Sequence, residues 1–186
     1  MLEDKLLIWK LKRGDSGALR QVYEKYRSDL LALALALSND KTSAEDAVHD
    51  VFVSFAQYAS QFELRRNLKN YLLACVANHV RNVNRSKQKQ SLFLDDAADA
   101  FTDFTSPEQS TISAEASRQI ASAMEKLPYE QREVIILHLQ GEMKFKAIAE
   151  SQNVSINTIQ SRYRYGIDKL RSILNSEVEK WNPLRK

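Results

Sequence analysis

The sequence predicts an all-α protein in which two small helical domains are joined by an acidic flexible linker. Its 186 residues include only four Gly and three Pro, the residues that most often interrupt helices. Apolar residues recur at three- and four-residue steps through most of the chain. Charge changes sign along the chain, and this separates basic sections from an acidic one. We place the first domain at residues 1–90, the linker at 91–116, and the second domain, a helix-turn-helix, at 117–180.

Composition excludes several classes of protein. A hydrophobic content of 44% is ordinary for a globular protein, and a net charge of +3 is mild. A single cysteine, Cys75, excludes an internal disulfide and a cysteine-based zinc site and fits a reducing compartment. The most apolar run, Leu30 to Leu37, is far shorter than the ~20 residues that a membrane helix needs. We therefore expect a cytoplasmic protein without a signal peptide or membrane insertion.

Three helices are expected before residue 61. They cover Leu2 to Leu11, about Ala18 to Ser38, and Ala44 to about Ser60, with Ser43 as the N-cap of the third. The side chains expected to point inward are Leu19, Val22, Tyr23, Tyr26, Leu30, Leu33, Leu37, Ala47, Val48, Val51, Phe52, Phe55 and Tyr58.

The outer face of the third helix is polar and carries Glu45, Asp46, His49 and Asp50. The spacing of Asp46 and His49 is that of a metal-ligand pair in helical bundles. A di-metal site would need a second such pair and two further Glu residues, and the sequence has no second pair. We therefore predict no metal and no cofactor, and interpret this face as solvated or protein-binding.

The section Phe62 to Lys89 is strongly basic, with seven cations and one acid. Cations with interleaved aromatic and amide side chains are typical of surfaces that hold single-stranded or melted nucleic acid. The candidate base contacts are Tyr71, Asn78 and His79. The alternative is a solvated basic helix with Tyr71 in the core.

The section from Leu92 to Ala116 has six acids and no Lys or Arg. Its Ser, Thr and Pro residues suggest a linker without fixed structure. Such a linker is usually a tether, although an acidic one between two basic domains could also screen or mimic DNA.

The second domain is expected to begin with two helices, Arg118 to Lys126 and Tyr129 to Leu139. The inner face of the latter would carry Val134, Ile135, Leu137 and Leu139. A helix-turn-helix follows over Lys144 to Leu174, with Asn153 suited to a left-handed turn and Ser155 to an N-cap.

In a helix-turn-helix the second helix enters the DNA major groove. Its polar side chains here mix donors, acceptors and cations that suit bases and phosphates. The candidate DNA contacts of this motif are Ser155, Asn157, Thr158, Gln160, Ser161, Arg162 and Arg164. An ordinary amphipathic helix pair with a solvated outer face is the alternative.

Two stretches resemble a known family. VYEKYRSDLLALALALSNDKTSAEDAVHDVFVSF is similar to region 2 of bacterial sigma factors, and LPYEQREVIILHLQGEMKFKAIAESQNVSINTIQSRYRYGIDKLR is similar to their region 4. An acidic linker stands where other sigma factors have an intermediate domain, which points to the extracytoplasmic-function (ECF) group. The resemblance covers most of residues 14 to 175.

The resemblance implies a role for each section. It implies that Glu45, Asp46, His49 and Asp50 bind core RNA polymerase and that the linker threads toward the polymerase active site. It implies that the helix Ser155 to Arg171 reads the minus-thirty-five element. The residues implied to recognise and melt the minus-ten element are Arg65, Arg66, Lys69, Tyr71, Asn78, His79, Arg81 and Arg85.

Five positions depart from the family pattern. Lys144 replaces the usual capping Ser or Thr, and Asn153 replaces the usual turn Gly. Tyr165-Gly166-Ile167 stands where Arg-Ala-Arg is frequent, so two phosphate contacts are missing and upstream binding is expected to be weaker. Gly166 also costs ~1 kcal/mol of helix propensity relative to Ala.

The predicted function is that of a sigma factor, not an enzyme. Its partners would be bacterial core RNA polymerase and promoter DNA, with an anti-sigma factor as a further candidate. Two alternatives remain. A conventional helix-turn-helix regulator would act without polymerase. A protein-interaction decoy would keep the acidic helix and lose base readout, and the basic section disfavours both.

Overall fold

The computed structural model describes residues 2–38, 40–64, 67–91 and 111–181. Eight α-helices and no strand occur in these ranges, so the all-α prediction is confirmed. Within the same ranges, no helix is long and apolar enough to cross a membrane. The chain divides into two compact units, Met1–Asp99 and Ala100–Lys186. Most of the predicted linker, residues 92–110, lies outside the described residues.

Unit 1 contains α1 (Leu2–Lys12), α2 (Ser16–Ser38), α3 (Lys41–Tyr58) and α4 (Leu68–Ser91). The long α2 packs against the other three helices. Burying one leucine side chain stabilises a fold by about 1.5–3 kcal/mol, so this core holds the unit together. Its largest fully buried side chains are Val22, Leu30, Leu33, Leu37, Leu68, Leu72 and Leu73.

Helix α3 begins at Lys41, three residues before the predicted start. The N-cap is Asp40, whose Oδ2 accepts a hydrogen bond of 2.8 Å from the Ser43 N–H. The prediction of Ser43 as the cap was therefore wrong. Asp caps helices as well as Ser does, and its negative charge also interacts favourably with the helix dipole.

A buried carboxylate attaches α1 to α2. Asp4 is only 6% exposed, and its Oδ1 accepts hydrogen bonds from Tyr26 Oη at 2.7 Å and from Lys25 Nζ at 2.9 Å. Burial alone would raise the pKa of Asp4, but the two hydrogen bonds outweigh it and hold that pKa below its usual value. Asp4 is therefore ionised at neutral pH, and its charge is compensated by Lys25.

Unit 2 contains α5 (Thr111–Glu125), α6 (Tyr129–Leu139), α7 (Phe145–Gln152) and α8 (Ile156–Trp181). The bounds of α6 are those predicted. Helix α5 begins seven residues before Arg118, so residues 111–116, which were assigned to the linker, are helical. The Ala and Glu residues of this stretch are strong helix formers, which favours the longer helix.

Three side chains predicted to be buried are exposed instead. Tyr23 is 37% exposed, Tyr58 66% and Leu139 59%. Tyr58 and Leu139 are the last residues of their helices. A periodic pattern does not show where the neighbouring helix ends, so it overestimates burial at such positions.

Gly166 allows α8 to approach α6 closely. A Cβ at this position would lie 2.8 Å from Ile135 Cδ1 and 3.1 Å from Gln131 Cβ, both on α6. The first distance is shorter than real contacts allow, and the second would force neighbouring atoms to move. The cost in helix propensity at Gly166 is therefore offset by close packing that a larger residue would prevent.

We predict that Gly166→Ala destabilises unit 2 by about 1–3 kcal/mol, the usual cost of overpacking, in spite of its better helix propensity. Adding Ile135→Val should restore part of the loss because it removes the clashing Cδ1. Ile135→Val alone should cost about 0.5–1.5 kcal/mol. Urea unfolding followed by circular dichroism measures all three variants. A gain of about 1 kcal/mol in Gly166→Ala, as propensity alone requires, would contradict the packing explanation.

Candidate polymerase and DNA interfaces

The acidic face predicted on the third helix lies on α3. Glu45, Asp46, His49 and Asp50 are all exposed there. The opposite side of α3 is buried and carries Ala44, Ala47, Val48, Val51, Phe52 and Phe55. Since the buried side fixes the rotation of the helix, the four polar side chains share one outward surface.

In the part of the chain that the structure describes, no group of three or more His, Cys, Asp or Glu residues is placed to hold a metal ion. Asp46 and His49 both face solvent on α3.

A cleft of about 320 Å³ lies between α3 and α4. This volume is at the lower end of the range for small-ligand sites, about 300–1,000 Å³. Its lining from α3 is Asp50, Val51, Ser54, Phe55 and Tyr58, and its lining from α4 is Tyr71, Cys75, Asn78, His79 and Asn82.

The three predicted base contacts, Tyr71, Asn78 and His79, all line this cleft. Tyr71 is 42% exposed, so the alternative in which it belongs to the core is wrong. Its ring centroid lies 4.7 Å from that of Phe62 and 6.3 Å from that of Phe55. The aromatic neighbours hold Tyr71 in place and leave part of its ring open.

The Tyr71 hydroxyl and the Cys75 thiol of the cleft are both uncharged. Burial raises the pKa of Tyr71 to about 12, with a smaller contribution from Cys75, to which it is hydrogen-bonded. Burial also raises the pKa of the Cys75 thiol. Both groups are therefore protonated at neutral pH.

Asn78 presents hydrogen-bond donors to the cleft. Its Oδ1 accepts a hydrogen bond from Arg81 Nη1 at 3.0 Å, which fixes the orientation of the amide. The amide N–H groups are then available to an acceptor in the cleft. Next to it, His79 Nε2 lies 3.6 Å from Asp50 Oδ2, so the cleft and the acidic face meet at this pair.

The predicted minus-ten cations are not gathered in the cleft. Lys69 Nζ lies 2.9 Å from Asp29 Oδ2, and Arg85 is exposed on α4. Arg65 and Arg66 lie outside the described residues. Arg81 lies at the edge of the cleft, where it is hydrogen-bonded to Asn78, whereas Lys69 and Arg85 are not part of the cleft lining.

Sequence reasoning missed Ser54, Tyr58, Cys75 and Asn82 as parts of the cleft. A signal for two of them was present, because residues 71, 75, 78 and 82 recur at the spacing of one helical face. No signal was available for Ser54 and Tyr58, since their position depends on how α3 packs against α4.

The turn of the helix-turn-helix forms as predicted. Asn153 adopts the left-handed conformation with φ 54° and ψ 45° and ends α7. Ser155 Oγ accepts a hydrogen bond of 3.0 Å from the Thr158 N–H, as expected of an N-cap, and its hydroxyl lies 2.9 Å from that of Thr158. The Ser155 and Thr158 side chains therefore stabilise the start of α8.

The polar face of α8 is only partly exposed to solvent. Asn157, Gln160 and Arg164 are exposed, whereas Thr158, Ser161 and Arg162 are half-buried. Exposed apolar side chains also lie here, since Ile156 is 43% and Tyr165 55% exposed. Neither residue was predicted from the sequence to be part of this surface. Helical periodicity alone would have placed Tyr165 beside Ser161 and Thr158.

Two arginines of this face have partners within the unit. Arg162 Nη1 donates a hydrogen bond of 2.9 Å to Gln152 Oε1. Arg164 Nη2 donates one of 3.3 Å to Tyr165 Oη, and its guanidinium carbon lies 5.0 Å from the centroid of the Tyr165 ring. The first contact joins the two helices of the motif, and the second stays within α8.

Two family models match the chain, one in each unit. Sigma-70 region 2 matches residues 22–90, which include α3, α4 and the cleft. Sigma-70 region 4 matches residues 117–170, which include the helix-turn-helix. Together they cover more than half of the chain.

Curated relatives are similar over nearly the whole length. The chain is 25% identical over 178 residues to the ECF RNA polymerase sigma factor SigW of Bacillus subtilis, with 90% of this chain and 94% of that protein covered. It is also 25% identical over 185 residues to the RNA polymerase sigma factor CnrH of Cupriavidus metallidurans, with 95% and 97% covered.

Solved structures share the fold. The sigma factor RpoE from Bartonella quintana, in complex with the anti-sigma factor NepR, matches with a TM-score of 0.72 at 24% identity, covering 84% of this chain and 96% of that one. CnrH in complex with the cytosolic domain of CnrY matches with a TM-score of 0.69 at 21% identity, covering 94% and 98%. Both sigma regions are thus present in order on the expected fold, and the chain belongs to the ECF group of bacterial RNA polymerase sigma factors, which direct promoter-specific initiation of transcription.

Proposed function

We propose that this sigma factor binds core polymerase through the acidic face of α3, holds a melted minus-ten base in the α3–α4 cleft, and contacts the minus-thirty-five duplex with α8. The observation that carries the proposal is the position of Asp50, which belongs to the acidic face and also lines the cleft 3.6 Å from His79. Polymerase binding and capture of a melted base would then occupy adjoining surfaces.

The chemistry of the cleft supports an unstacked base as its ligand. The open part of the Tyr71 ring offers a stacking surface, and the Asn78 amide offers donors to a base carbonyl or ring nitrogen. Extruding a base costs a few kcal/mol, so the cleft alone does not supply enough binding energy. Melting therefore depends on the whole holoenzyme.

The upstream contact is expected to be weak in isolation. Tyr165 and Ile167 stand where cations are frequent in the family, so α8 neutralises fewer phosphates. The polymerase would compensate because it holds both units on the same promoter, which raises their effective concentration.

The chain itself performs no phosphodiester chemistry in this proposal. It supplies binding energy and orientation, and the core polymerase forms the bonds. We place the protein in the cytoplasm, where the polymerase acts. Two structurally similar sigma factors were solved with the anti-sigma factors NepR and CnrY, and we propose a partner of this kind for this chain.

A conventional helix-turn-helix regulator is the weaker interpretation. It would explain α7 and α8 but not the match of residues 22–90 to sigma region 2. The two interpretations differ in one observable, because a regulator binds its operator without polymerase and a sigma factor needs polymerase.

Asp46→Lys tests the polymerase contact. We predict that it weakens the affinity for core polymerase about tenfold or more, because it replaces an attractive charge with a repulsive one at the interface. Fluorescence anisotropy of labelled protein titrated with core polymerase measures this. The control is Glu24→Lys on α2, which reverses another exposed charge and should leave the affinity unchanged. Equal affinities for both variants would remove the acidic face from the interface.

Asn78→Asp tests the base contact without a change in side-chain size. The carboxylate offers no donors and would pair with Arg81, so we predict about tenfold less transcript from a duplex promoter, the ratio for the loss of ~1.4 kcal/mol. Affinity for core polymerase should not change. Asn84→Asp, on the same helix but away from the cleft lining, is the control. Full transcription by Asn78→Asp would exclude the amide from promoter recognition.

A further inference from the structure

The contact between Gln152 and Arg162 links the end of α7 to the second turn of α8. Arg162 Nη1 donates to Gln152 Oε1 at 2.9 Å, and both side chains are half-buried. The guanidinium has five N–H donors, and this bond uses one of them. Arg162 is therefore held in place while most of its donors remain available.

Packing alone does not explain a glutamine at residue 152. Its Nε2 is buried and has no hydrogen-bond partner among the described residues. A buried donor without a partner costs stability, and an apolar side chain of similar size would avoid that cost. The part of Gln152 that has a hydrogen-bond partner is its amide oxygen, which accepts the hydrogen bond from Arg162.

A neutral hydrogen-bond acceptor can position a cation that also binds a phosphate. A carboxylate at this position would neutralise the guanidinium and compete with a DNA phosphate for it. The amide oxygen restricts the Arg162 side chain without cancelling its charge. Restricting a long side chain in advance reduces the entropy lost when it binds.

Arg162 lies at one edge of the exposed surface of α8. Successive residues are rotated by about 100° around the axis, so Gln160 and Arg162 lie on either side of Ser161. The middle of a recognition helix faces the base edges, whereas its flanks face the sugar-phosphate walls of the groove. Arg162 also lies on the side of α8 that is next to α7. In this motif the first helix, here α7, crosses the DNA backbone.

We propose that Gln152 is a positioning residue that fixes Arg162 as an anchor for a backbone phosphate of the upstream promoter element. This differs from the sequence analysis, which placed Arg162 among side chains suited to bases as well as phosphates. The inference rests on the proposed function of α8 and assigns one contact within it.

The test uses the holoenzyme and promoter duplexes that carry a single neutral methylphosphonate linkage at successive positions of the upstream element. One of these linkages should weaken promoter binding by the unmodified protein. Promoter binding by Arg162→Ala should be insensitive to that linkage, and the variant should keep the same base preference. Gln152→Leu should weaken binding about two- to tenfold, the cost of immobilising one long side chain, without any loss of thermal stability. Gln152→Glu should weaken binding further, because its carboxylate neutralises Arg162.

Lys169→Ala is the matched control. Lys169 is an exposed cation on the same side of α8, about two turns further along the helix. Its replacement should not alter the sensitivity to that linkage.

Unchanged binding by Gln152→Leu, or an altered base preference in Arg162→Ala, would overturn the inference and leave the sigma function intact. Destabilisation by Gln152→Leu with no change in binding would mean that the contact only holds the two helices together. Failure of the unmodified holoenzyme to form a promoter complex would overturn the proposed function, and this inference with it.

Discussion

The packing of α2 against three helices is the constraint on which the functional surfaces of unit 1 depend. Leu30, Leu33 and Leu37 are fully buried along it, so α3 and α4 must both turn their apolar faces inward. Their polar faces then emerge side by side and meet where His79 Nε2 lies 3.6 Å from Asp50 Oδ2. The proposed polymerase contact and the proposed base-binding cleft are neighbours as a consequence of one hydrophobic core.

Unit 2 depends on a similar constraint at a smaller scale. The absence of a side chain at Gly166 lets α8 lie close to Ile135 of α6, and this fixes which face of α8 is outward. The left-handed turn at Asn153 then sets the angle between α7 and α8. Within that arrangement Gln152 accepts a hydrogen bond from Arg162, the contact on which the proposed phosphate anchor depends.

Local features of this structure could be predicted from the sequence, and features that depend on neighbouring helices could not. Helix α6, the Asn153 turn and the Ser155 cap follow from short-range patterns. The exposure of Tyr58 and the joining of α3 side chains to the α4 cleft depend on where two helices cross. Gly166 is the clearest example. Helix propensity alone predicts that a glycine at this position is unfavourable, whereas the close packing of α8 on α6 requires a residue without a side chain.

The most direct test of the sigma function is transcription by purified core polymerase, with and without this protein, on fragmented bacterial genomic DNA, followed by sequencing of the transcript starts. We expect starts that appear only with the protein and share two spaced upstream motifs. The motifs would correspond to the duplex contacted by α8 and the bases held between α3 and α4. No new starts, together with tight binding of the protein alone to duplex DNA, would contradict the sigma function and favour a conventional regulator.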